Sequence, residues 1–62
     1  MISDRAVIDP GAYLAEEVEI GPFCVIEKDV SIGRGSRIGS HVVVRSGTQI
    51  GRDNRIYSFA SI

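Results

Sequence analysis

Large aromatic residues and cysteines are scarce in this sequence of 62 residues. Tryptophan is absent, there are two phenylalanines and two tyrosines, and a single cysteine cannot build a disulfide framework. Because compact cores usually depend on large aromatic side chains, their scarcity favours an architecture that packs by repetition. No apolar run is long enough to cross a bilayer, and residues 1–5 lack the profile of a secretory signal. We therefore expect a reduced, cytoplasmic setting without membrane insertion.

Charge is distributed unevenly along the chain. Residues 1–31 contain seven acidic and two basic residues, a net charge of −5, whereas residues 32–62 contain one acidic and five basic residues, a net charge of +4. A rod-like chain would therefore have a negative and a positive end. The positive end suits an acidic partner, such as a phosphate or a carrier protein, although an accidental gradient on a solvated surface is the simpler interpretation. No interleaving of basic and aromatic residues indicates nucleic-acid binding.

A period of six residues runs through the whole chain. Every sixth residue is aliphatic: Ile2, Ile8, Leu14, Ile20, Ile26, Ile32, Ile38, Val44, Ile50, Ile56 and Ile62. The residue two places earlier is small or β-branched in every repeat except the one with Asn54: Ala6, Ala12, Val18, Cys24, Val30, Ser36, Val42, Thr48, Asn54 and Ala60. Glycine directly follows the aliphatic residue four times, at Gly21, Gly33, Gly39 and Gly51.

This period predicts an all-β fold, a parallel β-helix of triangular coils. Residues two apart on a strand point to the same side, so the small and the aliphatic residue both face inward. A strand such as 36–38 would be followed by a corner such as 39–41, where glycine reaches backbone angles closed to other residues. Three strands and three corners make an eighteen-residue coil, and residues 1–62 give a single segment of about three and a third coils. Handedness does not follow from this arithmetic.

One outer face of the predicted prism is apolar. Residues eighteen apart stack, and the outward columns read Glu19, Arg37, Arg55; then Tyr13, Ser31, Gln49; then Val7, Val25, Val43, Ser61. Phenylalanine and histidine occupy the corner leading to the valines. A contiguous apolar patch usually marks an interaction surface, so we predict self-association as a threefold trimer. The alternative is local ring stacking without a partner. The predicted interface consists of Val7, Phe23, Val25, His41, Val43 and Phe59.

Residues that could carry chemistry are few, and we predict no catalytic, substrate-binding or metal site and no cofactor. His41 is the only histidine, and one titratable side chain is not a site. Cys24 faces inward and is interpreted as a packed thiol. The glycines of 33–39 have the wrong spacing for a phosphate-binding loop. Asn54 is expected to bond to corner backbone.

The segments 20–26, IGPFCVI, 40–44, SHVVV, and 51–62, GRDNRIYSFASI, resemble the N-terminal coils of UDP-N-acetylglucosamine acyltransferases. The resemblance covers nearly the whole chain. It implies a left-handed β-helix, a homotrimer and a cytoplasmic enzyme of lipid A synthesis, which moves a 3-hydroxyacyl group from acyl carrier protein to the sugar's 3-hydroxyl. In that family the general-base histidine and the substrate-gripping residues lie in later coils and a C-terminal helical region, and none has a counterpart here.

Two hypotheses from different classes follow. In the first, residues 1–62 are a truncated N-terminal portion of such an enzyme, inactive alone, that serves as scaffold and trimer contact. Acyl carrier protein and UDP-N-acetylglucosamine would then be partners of the full-length enzyme only. In the second, the chain is a self-assembling structural module, natural or engineered, whose open ends stack coil on coil into rods. Opposite charges at the two ends would assist that stacking.

Overall fold

The computed structural model describes residues 1–62 as nine two-residue strands and no helix. Each strand begins six residues after the previous one, as the repeat predicts, and consists of one outward and one inward residue. The strand predicted at residues 36–38 begins at Arg37, one residue later than expected. The strands are β1 (Val7–Ile8), β2 (Tyr13–Leu14), β3 (Glu19–Ile20), β4 (Val25–Ile26), β5 (Ser31–Ile32), β6 (Arg37–Ile38), β7 (Val43–Val44), β8 (Gln49–Ile50) and β9 (Arg55–Ile56). No helix of the length and apolarity needed to span a bilayer is present.

The strands form three parallel sheets, β1-β4-β7, β2-β5-β8 and β3-β6-β9. Within each sheet the partners are eighteen residues apart, so that Ile8 pairs with Ile26 and Ile26 pairs with Val44. Isolated bridges extend the stacking at both ends, from Ile2 to Ile20 and from Val43 to Ser61. The predicted triangular coil of eighteen residues is confirmed.

The inward residues of the middle coil form a dry core. Ile26 and Ile32 are completely enclosed, whereas the first and last aliphatic residues of the pattern, Ile2 and Ile62, remain 44% and 42% exposed. Each inward side chain is covered by the coils above and below it, so burial is greatest in the middle of the stack. The buried apolar residues are Val18, Ile20, Cys24, Ile26, Val30, Ile32, Ile38, Val42 and Val44.

Two polar side chains in the core are satisfied in the same way. The Cys24 thiol donates to the carbonyl oxygen of Gly39 at 2.9 Å, and the Ser36 hydroxyl donates to that of Gly51 at 2.7 Å. Both acceptors belong to the glycine fifteen residues later, in the next coil. The Asn54 amide nitrogen donates to the Arg52 carbonyl at 3.4 Å, so the expected local bond is confirmed. The Asn54 side chain itself is exposed at the last coil.

Gly21, Gly33 and Gly39, which directly follow the aliphatic residue, are required for close packing and not for their backbone angles, which corrects the sequence-based interpretation. None of Gly21, Gly33 and Gly39 has a positive φ, but a Cβ on Gly33 would lie 2.6 Å from the Gly51 carbonyl carbon. Backbone meets backbone where these corners stack. The left-handed angles lie instead at the residue before the small inward one: Glu17, Phe23, Asp29, Gly35, His41, Gly47, Asp53 and Phe59.

Candidate self-association face

The outer surface of the sheet β1-β4-β7, which we name the valine face, presents three valines in one column. Val7 pairs with Val25, and Val25 pairs with Val43. Val7 is 65% exposed and Val25 is 37% exposed, while Val43 is half-buried. In a parallel ladder such neighbours lie about 4.8 Å apart, so the column forms a continuous apolar strip.

Beside this strip runs an aromatic ladder of Phe23, His41 and Phe59. The ring centroids of Phe23 and His41 are 5.1 Å apart with a tilt of 32°, and those of His41 and Phe59 are 4.9 Å apart with a tilt of 14°. These separations are typical of interacting aromatic pairs. Both phenylalanines are nevertheless 51% or more exposed. The predicted stacking of His41 between two phenylalanines is confirmed.

All three ladder residues have left-handed backbone angles, with φ of 62°, 57° and 65°. A bulky residue in this region is uncommon, since its Cβ crowds the following carbonyl at a cost of about 1–2 kcal/mol. The other two corner columns place glycine, aspartate or glutamate at the positive-φ position. Aromatic side chains are therefore kept at an unfavourable backbone position, and their side-chain contacts must offset that cost.

The remaining two outer faces are polar. The column on β2-β5-β8 contains Tyr13, Ser31 and Gln49, in register. The column on β3-β6-β9 contains one glutamate and two arginines. The valine face is thus the one side of the prism on which an apolar column and a row of rings adjoin.

The structure places the six residues of the predicted interface in two adjoining columns, the valines on the sheet and the rings at the corner that leads into it. The hexapeptide pattern does not predict the left-handed backbone angles of Phe23, His41 and Phe59. Contact between this face and a second copy stays a prediction. The six residues are Val7, Phe23, Val25, His41, Val43 and Phe59.

His41 and Cys24, the two side chains singled out in the sequence as able to carry chemistry, have mainly structural contacts. The His41 imidazole forms no hydrogen bond and no ion pair, and Cys24 is completely buried and bonded to backbone. No three histidine, cysteine or acidic side chains are grouped as metal ligands would be.

The six-residue repeat and the three parallel sheets define a class, the hexapeptide-repeat β-helices. The sequence model described as bacterial transferase hexapeptide (six repeats) matches residues 16–46 and 29–62. Since these matches together cover most of the chain, it belongs to the bacterial transferase hexapeptide family. The handedness of the helix is that of its structural relatives, which are left-handed.

Solved structures narrow the resemblance to one kind of enzyme. LpxA from Acinetobacter baumannii is 49% identical over 98% of the chain, with a TM-score of 0.97. UDP-N-acetylglucosamine acyltransferases from Francisella novicida and Campylobacter jejuni are 45% and 34% identical over the whole chain, each also with a TM-score of 0.97. The chain resembles UDP-N-acetylglucosamine acyltransferases, as its sequence motifs predict. It spans only 24%, 22% and 25% of these three chains, respectively.

Proposed function

We propose that this chain is the N-terminal scaffold and trimerisation segment of an acyltransferase of lipid A synthesis. The full-length enzyme would move a 3-hydroxyacyl group from acyl carrier protein to the 3-hydroxyl of UDP-N-acetylglucosamine in the cytoplasm. The observation that supports this function most strongly is the likeness to two enzymes named for that sugar nucleotide, which extends over the whole chain at 45% and 34% identity.

The contribution of residues 1–62 is structural. Abstraction of a proton from a sugar hydroxyl needs a positioned base, and the imidazole of His41, the only one in the chain, stacks between two rings and forms no hydrogen bond or ion pair. We therefore expect the isolated chain to show no acyl transfer when it is supplied with an acyl carrier protein thioester and UDP-N-acetylglucosamine. Measurable turnover would contradict the assignment of the chain as a scaffold.

Trimerisation through the valine face is supported by its composition and backbone. Val7, Val25 and the phenylalanines of the ladder expose apolar surface in one contiguous patch, and burial of apolar area returns roughly 25 cal/mol per Å². Contact with a second copy would also add to the side-chain contacts that offset the left-handed angles at Phe23 and Phe59. Three copies related by a threefold axis would each cover the apolar strip of another.

The substitution Val25→Glu tests this interface. Val25 lies on the middle strand of the valine face, so a glutamate there would place a charge in the contact and dissociate the trimer. Ser31→Glu is the matched control. Ser31 occupies the equivalent outward position on β5, and the substitution adds the same charge to a polar face. Analytical ultracentrifugation should show monomers for Val25→Glu and trimers for Ser31→Glu. An unchanged mass for Val25→Glu would contradict the proposed contact.

A second candidate function is a structural module that assembles end to end. The separation of charge along the chain favours it, because the acidic first coils of one copy would face the basic last coils of another. The two functions predict different assemblies, a closed trimer and an open rod. Their dependence on protein concentration and on salt distinguishes them.

A further inference from the structure

Four of the arginines lie along one edge of the β-helix, in an arrangement that we name the arginine grid: Arg34, Arg37, Arg52 and Arg55. Arg37 and Arg55 pair directly across β6 and β9. Arg34 and Arg52 are likewise eighteen residues apart on the preceding corner, where the Arg34 carbonyl accepts the amide of Asp53 at 2.9 Å. The grid therefore has two arginines in each of two successive coils.

Carboxylates form ion pairs only with the two arginines of the lower coil, Arg34 and Arg37. Arg34 pairs with Glu17 at 3.1 Å and Arg37 lies 3.9 Å from Glu19, whereas Arg52 and Arg55 form no ion pair. Asp53 is the one acidic residue among residues 32–62; it follows Arg52 on the corner that also contains Arg34, and its Oδ1 lies close to Gly35 of the coil below, not in an ion pair with an arginine. Arg37 and Arg55 are directly opposite each other, and Glu19 at 3.9 Å from Arg37 is the only carboxylate paired with either of them, so their mutual repulsion is only partly compensated.

A groove adjoins Arg37 and Arg55 and contains further hydrogen-bond donors. Both arginines line it, together with Gly39, the 74% exposed Tyr57 and Ser58. The Ser58 hydroxyl oxygen accepts from the Ser40 amide and hydroxyl at 3.1 and 3.2 Å, so its own hydrogen remains free to donate. The acidic side chains of the groove, Asp4 and Glu19, belong to the lower coils.

We propose that this groove is a binding site for a small multivalent oxyanion of the phosphate or diphosphate class. The anion would lie between Arg37 and Arg55, whose planar guanidinium groups each present paired donors to phosphate oxygens. The hydroxyl groups of Tyr57 and Ser58 supply additional donors from the groove side. The anion would also remove the repulsion between the two neighbouring arginines. This site does not depend on the valine face, which lies on a different sheet.

Titration of the 62-residue chain with sodium pyrophosphate at constant ionic strength tests the site, with sodium chloride as the reference salt. We expect saturable changes in the ¹H–¹⁵N NMR signals of Tyr57 and Ser58 and of the Arg37 and Arg55 side chains. Arg55→Gln should weaken binding by about tenfold or more, because a charge-assisted hydrogen bond is lost. Arg55→Lys keeps the charge but loses the paired donors of the guanidinium group, so its pyrophosphate affinity should lie between those of the unsubstituted chain and of Arg55→Gln.

Arg45→Gln is the matched control, because it removes the same charge from a different corner, outside the groove. We expect it to change pyrophosphate affinity by less than about twofold, as screening limits the effect of a distant surface charge. Equal losses in Arg45→Gln and Arg55→Gln would show general attraction to the positive half of the chain and would overturn the proposal. Signal changes that do not saturate, or that spread evenly over the basic residues, would also overturn it.

Discussion

Gly33 and Gly51 occupy the same position of the repeat, one coil apart, yet they have different neighbours. A Cβ on Gly33 would lie 2.6 Å from the Gly51 carbonyl carbon and 2.9 Å from the Arg52 nitrogen. A Cβ on Gly51 would meet only the Asn54 amide, at 3.5 Å. Neither glycine has a positive φ, so the difference between them is purely one of space.

We predict that Gly33→Ala lowers the free energy of unfolding by about 1–3 kcal/mol, because the added methyl group forces two stacked corners apart. Gly51→Ala should change it by less than about 1 kcal/mol, since alanine fits that backbone angle and the space is open. Urea unfolding of both variants at one protein concentration measures the difference. Equal losses would show that the glycine is needed for its backbone freedom at both positions.

The hexapeptide spacing predicts which residues face inward, but it does not predict the role of each corner residue. Burial follows from the alternation of side chains along a strand, so the inward positions of Ile26 and Ile32 could be inferred from the amino-acid sequence alone. The close approach at Gly33 depends on the distance between two backbones, and the left-handed angle of His41 depends on how the corner turns. Both are properties of the folded coil, and a linear pattern does not contain them.

At the scale of the strand, the stability of each element depends on the coils on either side. A two-residue strand cannot bury its own inward side chain, so β5 is enclosed by β2 below and β8 above. Ile32 on β5 is completely buried, whereas Ile62, at the same position of the last repeat, is 42% exposed. The same residue type thus contributes differently according to its place in the stack.

Ile32→Ala should lower the free energy of unfolding by about 2–5 kcal/mol, because it leaves a cavity in the enclosed middle coil. Ile62→Ala is the matched control and should cost less than about 1 kcal/mol, as much of that side chain already contacts solvent. Thermal unfolding followed by circular dichroism compares the two. A similar loss at both positions would mean that the stack is not the source of the core's stability.

For the valine face and its aromatic ladder, the sequence predicts which residues lie together but not what they contact. These six residues could be placed together because strand register follows from the period of eighteen, and the parallel pairing of Val7 with Val25 and of Val25 with Val43 agrees with that register. Ring stacking in the ladder also follows from the register. The partner of the face is a property of a second molecule, and the spacing of residues in one chain does not specify it.

At the scale of the whole molecule, some of the acidic residues of the first coils pair with basic residues of the following coils. Glu17 of an acidic coil pairs with Arg34 of the next, and Glu19 lies beside Arg37. These exposed pairs stabilise the fold only slightly, by about 0–1 kcal/mol each. Their greater effect is to leave the uncompensated charge at the extremes, acidic residues in the first coil and Arg52 and Arg55 in the last.

Salt dependence separates the two assemblies that the molecule could form. Between about 0.1 M and about 1 M salt the Debye length falls from about 10 Å to about 3 Å, so end-to-end contacts between opposite charges should weaken sharply. Contacts between valine faces bury apolar surface and should persist or strengthen. We therefore predict that sedimentation shows a trimer whose mass is independent of salt and reaches a plateau with protein concentration. A mass that keeps growing with concentration at low salt and falls at high salt would instead identify charge-driven rods, because open assemblies have no closing contact to limit their length.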